Sequence, residues 1–301
     1  MIREDGNMLD NKIITFLRVC DTMNYTRAAE ELHITQPAVS HHIHCLEEEY
    51  GVRLFEFKNK KISLTAQGVM LRRYANAMHN DEKVIAHELS QPLLLRHDLR
   101  LGTTKTVGDF AIARPLQSYM ENHPDTDMHI IVGNTEELLS QLHSGAIHMA
   151  LVEGYYPIDE FESVKYSTED FICVSAAGHK FSNTPESIED LTGETLLVRE
   201  PGSGTREILQ RGLSLKNLTV NSFSRAVEIG SMHVILSLVE GDFGISFMYK
   251  RAASQAIEAG SLREVRLNDF HVKHDFTFIW NKGSIHDSIY SDVCKSFMKS
   301  V

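Results

Sequence analysis

The stretch that most limits what this chain can become runs from Asn24 to Gly51, NYTRAAEELHITQPAVSHHIHCLEEEYG. Asn24, Tyr25 and Thr26 form a polar, cap-like start, and the helical run RAAEEL follows. His33-Ile34-Thr35 interrupts that run. Thr35 then serves as a second N-cap, with Gln36 and Pro37 in a first turn where proline costs little. Gly51 ends the second helix, because glycine accepts the left-handed backbone that follows a helix end. Val39, Ile43, Leu46 and Tyr50 recur at steps of four, three and four and form one apolar stripe. Gln36, Pro37, Ser40, His41 and His44 lie off it. Upstream, Ile13, Phe16, Leu17 and Cys20 share the face of another helix. Two short helices joined by a turn, the second polar at its start, make a helix-turn-helix.

A small β-hairpin, or wing, is expected next: Val52-Arg53-Leu54-Phe55, a turn carrying Lys58, Lys60 and Lys61, then Ile62-Ser63-Leu64. A helix fits the major groove, where Gln and Ser side chains hydrogen-bond base edges. Wing lysines beside phosphates add affinity without sequence choice. His41, His42, His44 and Cys45 crowd five positions and raise the question of a metal. Two ligands on one helix do not make a zinc site, and no second Cys/His pair stands nearby in sequence. The net charge of −11 argues against a general polyanion binder. Residues 1–65 carry eight Lys/Arg against ten Asp/Glu, so any attraction to DNA is local to one patch.

From Phe16 to Gly68 the chain resembles the DNA-binding module of the LysR-type transcriptional regulators. Thr26, Ala28, Ala29, Leu32, Thr35, Gln36, Pro37, Ala38, Ser40, Ile43, Leu46, Glu47, Gly51, Leu54, Phe55, Leu64, Thr65 and Gly68 carry the match in one register. Three departures stand out. Phe57 replaces an arginine usual in the family, Asn59-Lys60-Lys61 replaces a stretch where glycine is common, and His41 replaces a long polar residue. The resemblance implies binding of double-stranded promoter DNA through Thr26, Thr35, Gln36, Pro37, Ser40, His41, His44, Lys58, Lys60 and Lys61. Phe57 cannot hold a phosphate as an arginine would, and the three lysines substitute for it. The resemblance also implies a homodimer assembling to a homotetramer, and contact with RNA polymerase.

The winged helix-turn-helix is assigned to residues 1–65 and a linker helix to residues 66–92. No proline interrupts the linker before Pro92, and Leu71, Tyr74, Met78, Ile85 and Leu89 keep a heptad-like step broken by Asp81-Glu82. Such a rod, roughly 40 Å long, cannot bury its stripe alone, so it is read as a dimer helix.

Residues 93–301 read as the effector-binding domain. Leu99–Thr103, Met128–Val132 and His148–Val152 are strands separated by helices over Thr106–Asn122 and Glu136–Ser144. That alternation means a parallel sheet covered by helices. A second α/β run starts at Phe171-Ile172-Cys173-Val174. Lobe I covers about 98–166 and 271–301, and lobe II about 167–270, similar to the family's two-lobed effector domain and to periplasmic binding proteins. The fold class is therefore α+β multidomain.

Ligands of open α/β sheets sit at the carboxyl ends of strands. Those ends carry Thr103, Thr104, Lys105 and Thr106, then Asn134 and Thr135, Glu153, Ser203, Gly204 and Thr205, and Met248. Hydroxyls, a lysine and helix starts favour a small anion. An amino-acid-like or carboxylate metabolite is the other reading. Asn134 and Glu137 also form a capping box, which needs no ligand. The loop Glu200–Thr205 lacks the phosphate-binding G-x-x-x-x-G-K-[ST] pattern.

The chain is thus expected to be a ligand-responsive transcriptional regulator. A sensing protein with weak or lost DNA reading is the alternative, and an enzyme the least favoured. Neither a G-x-S-x-G elbow nor an H-E-x-x-H helix occurs. No catalytic residue, metal or cofactor is assigned. The polar start MIREDGNMLDNK has no apolar signal core, and no apolar run is long enough to span a bilayer. Cys20, Cys45, Cys173 and Cys294 are isolated and read as buried apolar residues. The expected compartment is the cytoplasm.

Overall fold

The computed structural model describes residues 9–58, 61–90 and 97–299. Lys60 of the wing and linker residues 91 and 92 lie outside them, and for Lys58 and Lys61 only the strand positions are described.

Three helices open the chain: α1 (Asn11–Thr22), α2 (Tyr25–Glu31) and α3 (Gln36–Tyr50). Each starts on a side-chain cap. Asp10 accepts from the Lys12 amide, Asn24 from the amides of Thr26 and Arg27, and Thr35 from that of Ala38. Gly51 closes α3 at φ 67°, the left-handed value that favours glycine. The apolar faces meet in a core of Phe16, Val19, Ala28, Val39, Ile43 and Leu46. Strands β1 (Phe55–Lys58) and β2 (Lys61–Leu64) pair antiparallel and form the wing.

Helix α4 (Ala66–Ser90) leaves this unit through Gly68, which packs so closely on the Leu54 carbonyl that a Cβ would overlap it. Leu71 packs into the N-terminal core, so it leaves the expected dimer stripe. Met70, Tyr74 and Met78, spaced four apart, are exposed. Asp81 and Glu82 are buried instead of marking a gap in an apolar seam. Asp81 accepts from the Ser284 hydroxyl at 2.8 Å and the Ile285 amide at 3.1 Å, and Glu82 accepts from the Leu9 amide at 3.3 Å. Acidic residues at heptad positions fit here because they bind the rest of the chain.

The remainder builds one nine-stranded sheet. Its first half holds β3 (His97–Thr104), α5 (Lys105–Phe110), α6 (Ala113–Asn122), β4 (Thr126–Gly133), α7 (Thr135–Ser144) and β5 (Met149–Val152). The single helix expected over Thr106–Asn122 is two, broken at Ala111-Ile112. Strand β6 (Phe161–Ala176) is much longer than the four residues read from the sequence and crosses into the second half. There follow β7 (Thr195–Val198), α8 (Gly204–Ser214), β8 (Arg225–Glu228), α9 (Met232–Glu240), β9 (Ile245–Tyr249), α10 (Lys250–Glu258) and β10 (Leu262–Val265). Strand β11 (Val272–Asn281) returns antiparallel to β6, and α11 (Asp287–Met298) closes the first half.

In lobe I, β3 runs parallel to β4 and β5; in lobe II, β7 runs parallel to β8 and β9. Strands β6 and β11 carry the chain between the lobes. Cys20, Cys173 and Cys294 are buried and free, and burial pushes their thiols up.

Candidate functional site

The first site is the exposed face of α3. Because Val39, Ile43 and Leu46 are turned into the core, Gln36, Ser40 and His44 share the opposite side at steps of four. With Asn24, Thr26, Arg53 and the wing residue Phe57 they line a groove of about 690 Å³. The Gln36 side-chain amide donates to the Ser40 hydroxyl at 2.9 Å, so this bond does not use the Gln36 side-chain carbonyl. Pro37 is exposed in the first turn. Phe57 is 70% exposed and lies 6.3 Å, centroid to centroid, from Tyr25. Glu47 also reaches the groove, but it accepts from Arg53 at 2.7 Å and from the Leu54 amide at 2.8 Å, tying α3 to the wing.

The clustered histidines separate in space. His42 turns inward and meets the Thr15 hydroxyl at 2.8 Å, whereas His44 lines the groove. His41 lies 3.5 Å from the Cys45 sulfur, and His44 is 3.1 Å from Glu48. Among the described residues no group of three His, Cys, Asp or Glu side chains is placed to hold a metal ion.

The second site lies between the lobes. Parallel pairing sets Thr104 beside Gly133, so the ends of β3, β4 and β5 come out at one edge. Thr104, Lys105, Thr106, Asn134, Thr135 and Glu153 follow from those ends. Across the gap, β7 ends in Arg199-Glu200, and Ser203, Gly204 and Thr205 begin α8.

Glu153 is the centre of the contact. Its Oε1 accepts the Thr106 hydroxyl at 3.0 Å and the Thr205 hydroxyl at 2.6 Å, and its backbone carbonyl accepts the Tyr249 hydroxyl at 3.0 Å. Thr205 and Tyr249 belong to lobe II, so Glu153 of lobe I is bonded to two elements of lobe II. Burial pushes the Glu153 carboxyl up, and hydrogen bonds from Thr205 and Thr106 and the charge of Arg199 offset this only in part. The backbones of Gly154 and Gly204 touch beside it: a Cβ on Gly204 would lie 2.7 Å from the Gly154 Cα. Glycine is required at that crossing for space.

Lys105 does not stand as a free cation. Its ammonium donates to Glu200 and to the Gly230 carbonyl, each at 3.0 Å. Arg199 grips the same carboxylate at 2.8 and 3.0 Å. Burial works against ionisation of Glu200, but these donors outweigh it and hold its carboxyl at about 2. Thr103 is spent locally on the Thr104 carbonyl at 3.1 Å. Met248 is fully buried in the apolar core with Ile172, Leu197 and Met232, apart from the polar cluster. Asn134 completes its capping box with Glu137.

Several buried polar atoms in this cluster have no hydrogen-bond partner: the hydroxyls of Thr104, Thr135 and Ser203, Glu153 Oε2 and Arg199 Nη1. Unmatched buried groups are costly, so this cluster is left short of partners within the chain. Arg199, Glu200 and Tyr249 were missed in the sequence. The position of Arg199-Glu200 directly after a strand and before the Gly-Ser-Gly turn was the signal for the first two; Tyr249 carried none.

A third set of contacts links the two sites. Helix α7 begins at the cleft with Thr135. Its Glu136, Leu139, Ser140 and His143 line a space of about 450 Å³ with Leu17, Arg18 and Asp21 of α1 and Arg72, Asn76 and His79 of α4. His143 Nε2 is 2.9 Å from Glu160, Glu160 is 3.3 Å from Arg72, and Arg72 is 3.8 Å from Asp21.

Comparison with known proteins gives a consistent pattern. The family described as "Bacterial regulatory helix-turn-helix protein, lysR family" matches residues 11–69, and "LysR substrate binding domain" matches residues 94–293. The regulator CysL of Bacillus subtilis is 28% identical over 273 residues, covering 88% of each chain. The RuBisCO operon regulator of Allochromatium vinosum is 27% identical over 263 residues, covering 86% of this chain and 85% of the other. An OxyR mutant from Corynebacterium glutamicum shares the fold at a TM-score of 0.59, with 21% identity, over 96% of this chain and 90% of that one. The CcmR regulatory domain of Synechocystis, solved with 2-PG, superposes at 0.60 with 20% identity, covering 68% of this chain and 97% of its own.

Proposed function

The chain belongs to the LysR family of helix-turn-helix regulators, and from that premise we propose how its own residues divide the work. It is a ligand-responsive DNA-binding regulator; the proposal concerns which side chains read DNA, which hold the effector, and how the two communicate.

Gln36 and Ser40 read base edges, with Thr26, Thr35, Pro37, His41 and His44 around them. Lys58, Lys60 and Lys61 of the wing hold phosphate. The observation that carries this reading is the exposed Gln36–Ser40 pair, which leaves a carbonyl acceptor at a fixed place in a groove flanked by the wing. The effector sits between the lobes on Thr104, Thr135, Ser203 and Glu153. Residues 1–65, 66–92 and 93–301 serve as reading head, dimer helix and sensor. Dimers pair through the exposed residues of α4 and assemble to tetramers, and the effector alters contact with RNA polymerase in the cytoplasm. The chain catalyses no reaction in this scheme.

Selection of binding sites from a random duplex library by the full chain tests the DNA assignment. The expected product is a two-fold-related sequence, and Gln36→Ala relaxes one position in each half. Failure to enrich any sequence would favour a sensor that no longer reads DNA.

A further inference from the structure

The reading of the lobe gap as the effector site leaves the chemistry of the effector open, and the unspent atoms of that gap narrow it. They are of two kinds. Arg199 Nη1 is a cationic donor and Glu153 Oε2 an acidic oxygen; both are buried and neither has a partner. Three hydroxyls that can donate or accept, on Thr104, Thr135 and Ser203, are unpartnered with them. Glu153 is 1% exposed and Arg199 2% exposed, so bulk water does not supply the missing bonds.

Charge balance sharpens the point. Lys105 and Arg199 converge on Glu200, two cations against one carboxylate. Glu153, when ionised, balances the remainder. A doubly charged inorganic oxyanion would use Arg199 and the hydroxyls but would set its negative charge near Glu153. A plain cation would satisfy Glu153 and be opposed by Arg199. A ligand with one group of each sign satisfies both.

We infer that the cleft takes a small zwitterion, an α-amino acid, with its ammonium on Glu153 Oε2 and its carboxylate on Arg199 Nη1 and the unpartnered hydroxyls. This inference rests on the lobe gap being the effector site. The backbone contact of Gly154 with Gly204 keeps the ligand small.

The pH dependence separates this ligand from an oxyanion. The groups facing the Glu153 carboxyl are the hydroxyls of Thr106 on α5 and Thr205 on α8, with the Arg199 charge after β7; the Tyr249 hydroxyl on β9 meets its backbone. Burial favours the protonated carboxyl when the cleft is empty. An ammonium restores the ionised form, so binding releases a proton and tightens as pH rises. An oxyanion prefers the protonated form and weakens as pH rises.

The test uses the full chain in thermal-shift and calorimetric titrations. The probes are the standard L-amino acids, the carboxylates that lack their amine, the corresponding amino-acid amides, sulfate and phosphate. The expected result is a stabilising amino acid whose des-amino carboxylate and amide both fail. Its affinity rises with pH, and it binds at least about tenfold more weakly to Glu153→Gln. Stabilisation by no amino acid overturns the inference, as does a ligand whose affinity falls with rising pH in the unmodified protein. Thr104→Val and Ser203→Ala separate this from the underlying reading. An oxyanion whose binding those variants abolish keeps the cleft as effector site and refutes the zwitterion; any ligand untouched by them binds elsewhere and refutes both.

Discussion

The Glu153 carboxylate of lobe I accepts the Thr205 hydroxyl of lobe II at 2.6 Å, from a position that solvent does not reach. One of the groups that tie the lobes together is therefore one whose ionisation the fold opposes. Its carboxyl is raised above the ordinary value of 4.5, so the folded chain holds the proton more tightly than the unfolded chain does. The resulting stabilisation is complete below that ordinary value and is lost as pH rises through the folded one. Glu153→Gln, which cannot ionise, is expected to make the empty protein more stable than the parent at alkaline pH, by about 1–3 kcal/mol. The gap should close in acid. Thermal unfolding of both proteins across pH checks this, and a less stable variant at alkaline pH would contradict it.

Gln36 and Ser40 act as one unit because the Ser40 hydroxyl orients the Gln36 amide. Each alanine substitution is expected to cost about 1–3 kcal/mol of discrimination between the selected site and a single-base variant. The double substitution should cost less than the sum, since removing either partner already frees the amide. Binding titrations on matched and mismatched duplexes at one salt concentration give the four values. Strict additivity would mean that the two side chains contact DNA independently.

Arg72 stands between Asp21 of α1 and Glu160 of lobe I. The His143 contact, with the Arg72 charge adding to it, outweighs burial and holds the Glu160 carboxyl below its ordinary value. The stabilisation this supplies is present above that ordinary value and is lost as pH falls through the lowered one. Arg72→Ala should therefore let the N-terminal unit detach from lobe I at a higher pH than in the parent. A partly exposed pair of this kind contributes about 1 kcal/mol. Small-angle scattering against pH reports the expansion; identical profiles for the two proteins would remove Arg72 from the junction.

Met70, Tyr74 and Met78 leave an apolar stripe on α4 without a covering element among the described residues. Tyr74→Glu with Met78→Glu is expected to shift sedimentation from dimer toward monomer. Each apolar side chain no longer buried is worth about 1.5–3 kcal/mol. An unchanged sedimentation coefficient would place the dimer contact elsewhere.

The N-terminal unit was legible because its signals are local. Caps at Asn24 and Thr35, Pro37 in a first turn and Gly51 at a helix end act within a few residues, and the structure has each in that role. The cleft was only partly legible. Strand ends pointed to Thr104, Thr135, Ser203 and Glu153, because in a parallel sheet the carboxyl ends share an edge. What Lys105 does there was not legible, since its partner Glu200 is ninety-five residues away in sequence. The same holds for Asp81, which looked like a flaw in a heptad until Ser284 and Ile285 were found to donate to it. His42 was grouped with its neighbours by composition alone, and one step of about 100° around a helix carries a side chain to another face. Met248 failed for the reason that a strand alternates: Phe247 and Tyr249 face one core and Met248 the other.

Helix α7 has its first turn at the gap between the lobes, which we propose as the effector site, and its later face against α1 and α4. For anyone adapting this scaffold as a biosensor, the two walls of the cleft are not equivalent building sites. Substitutions at Thr135 and Glu136 sit on the same rigid rod that touches the reading head, so a library there retunes response and recognition together. Ser203 stands at the N-cap of α8, which belongs to the far lobe. Ligand preference can be diversified from that wall first, with the output module left as it was.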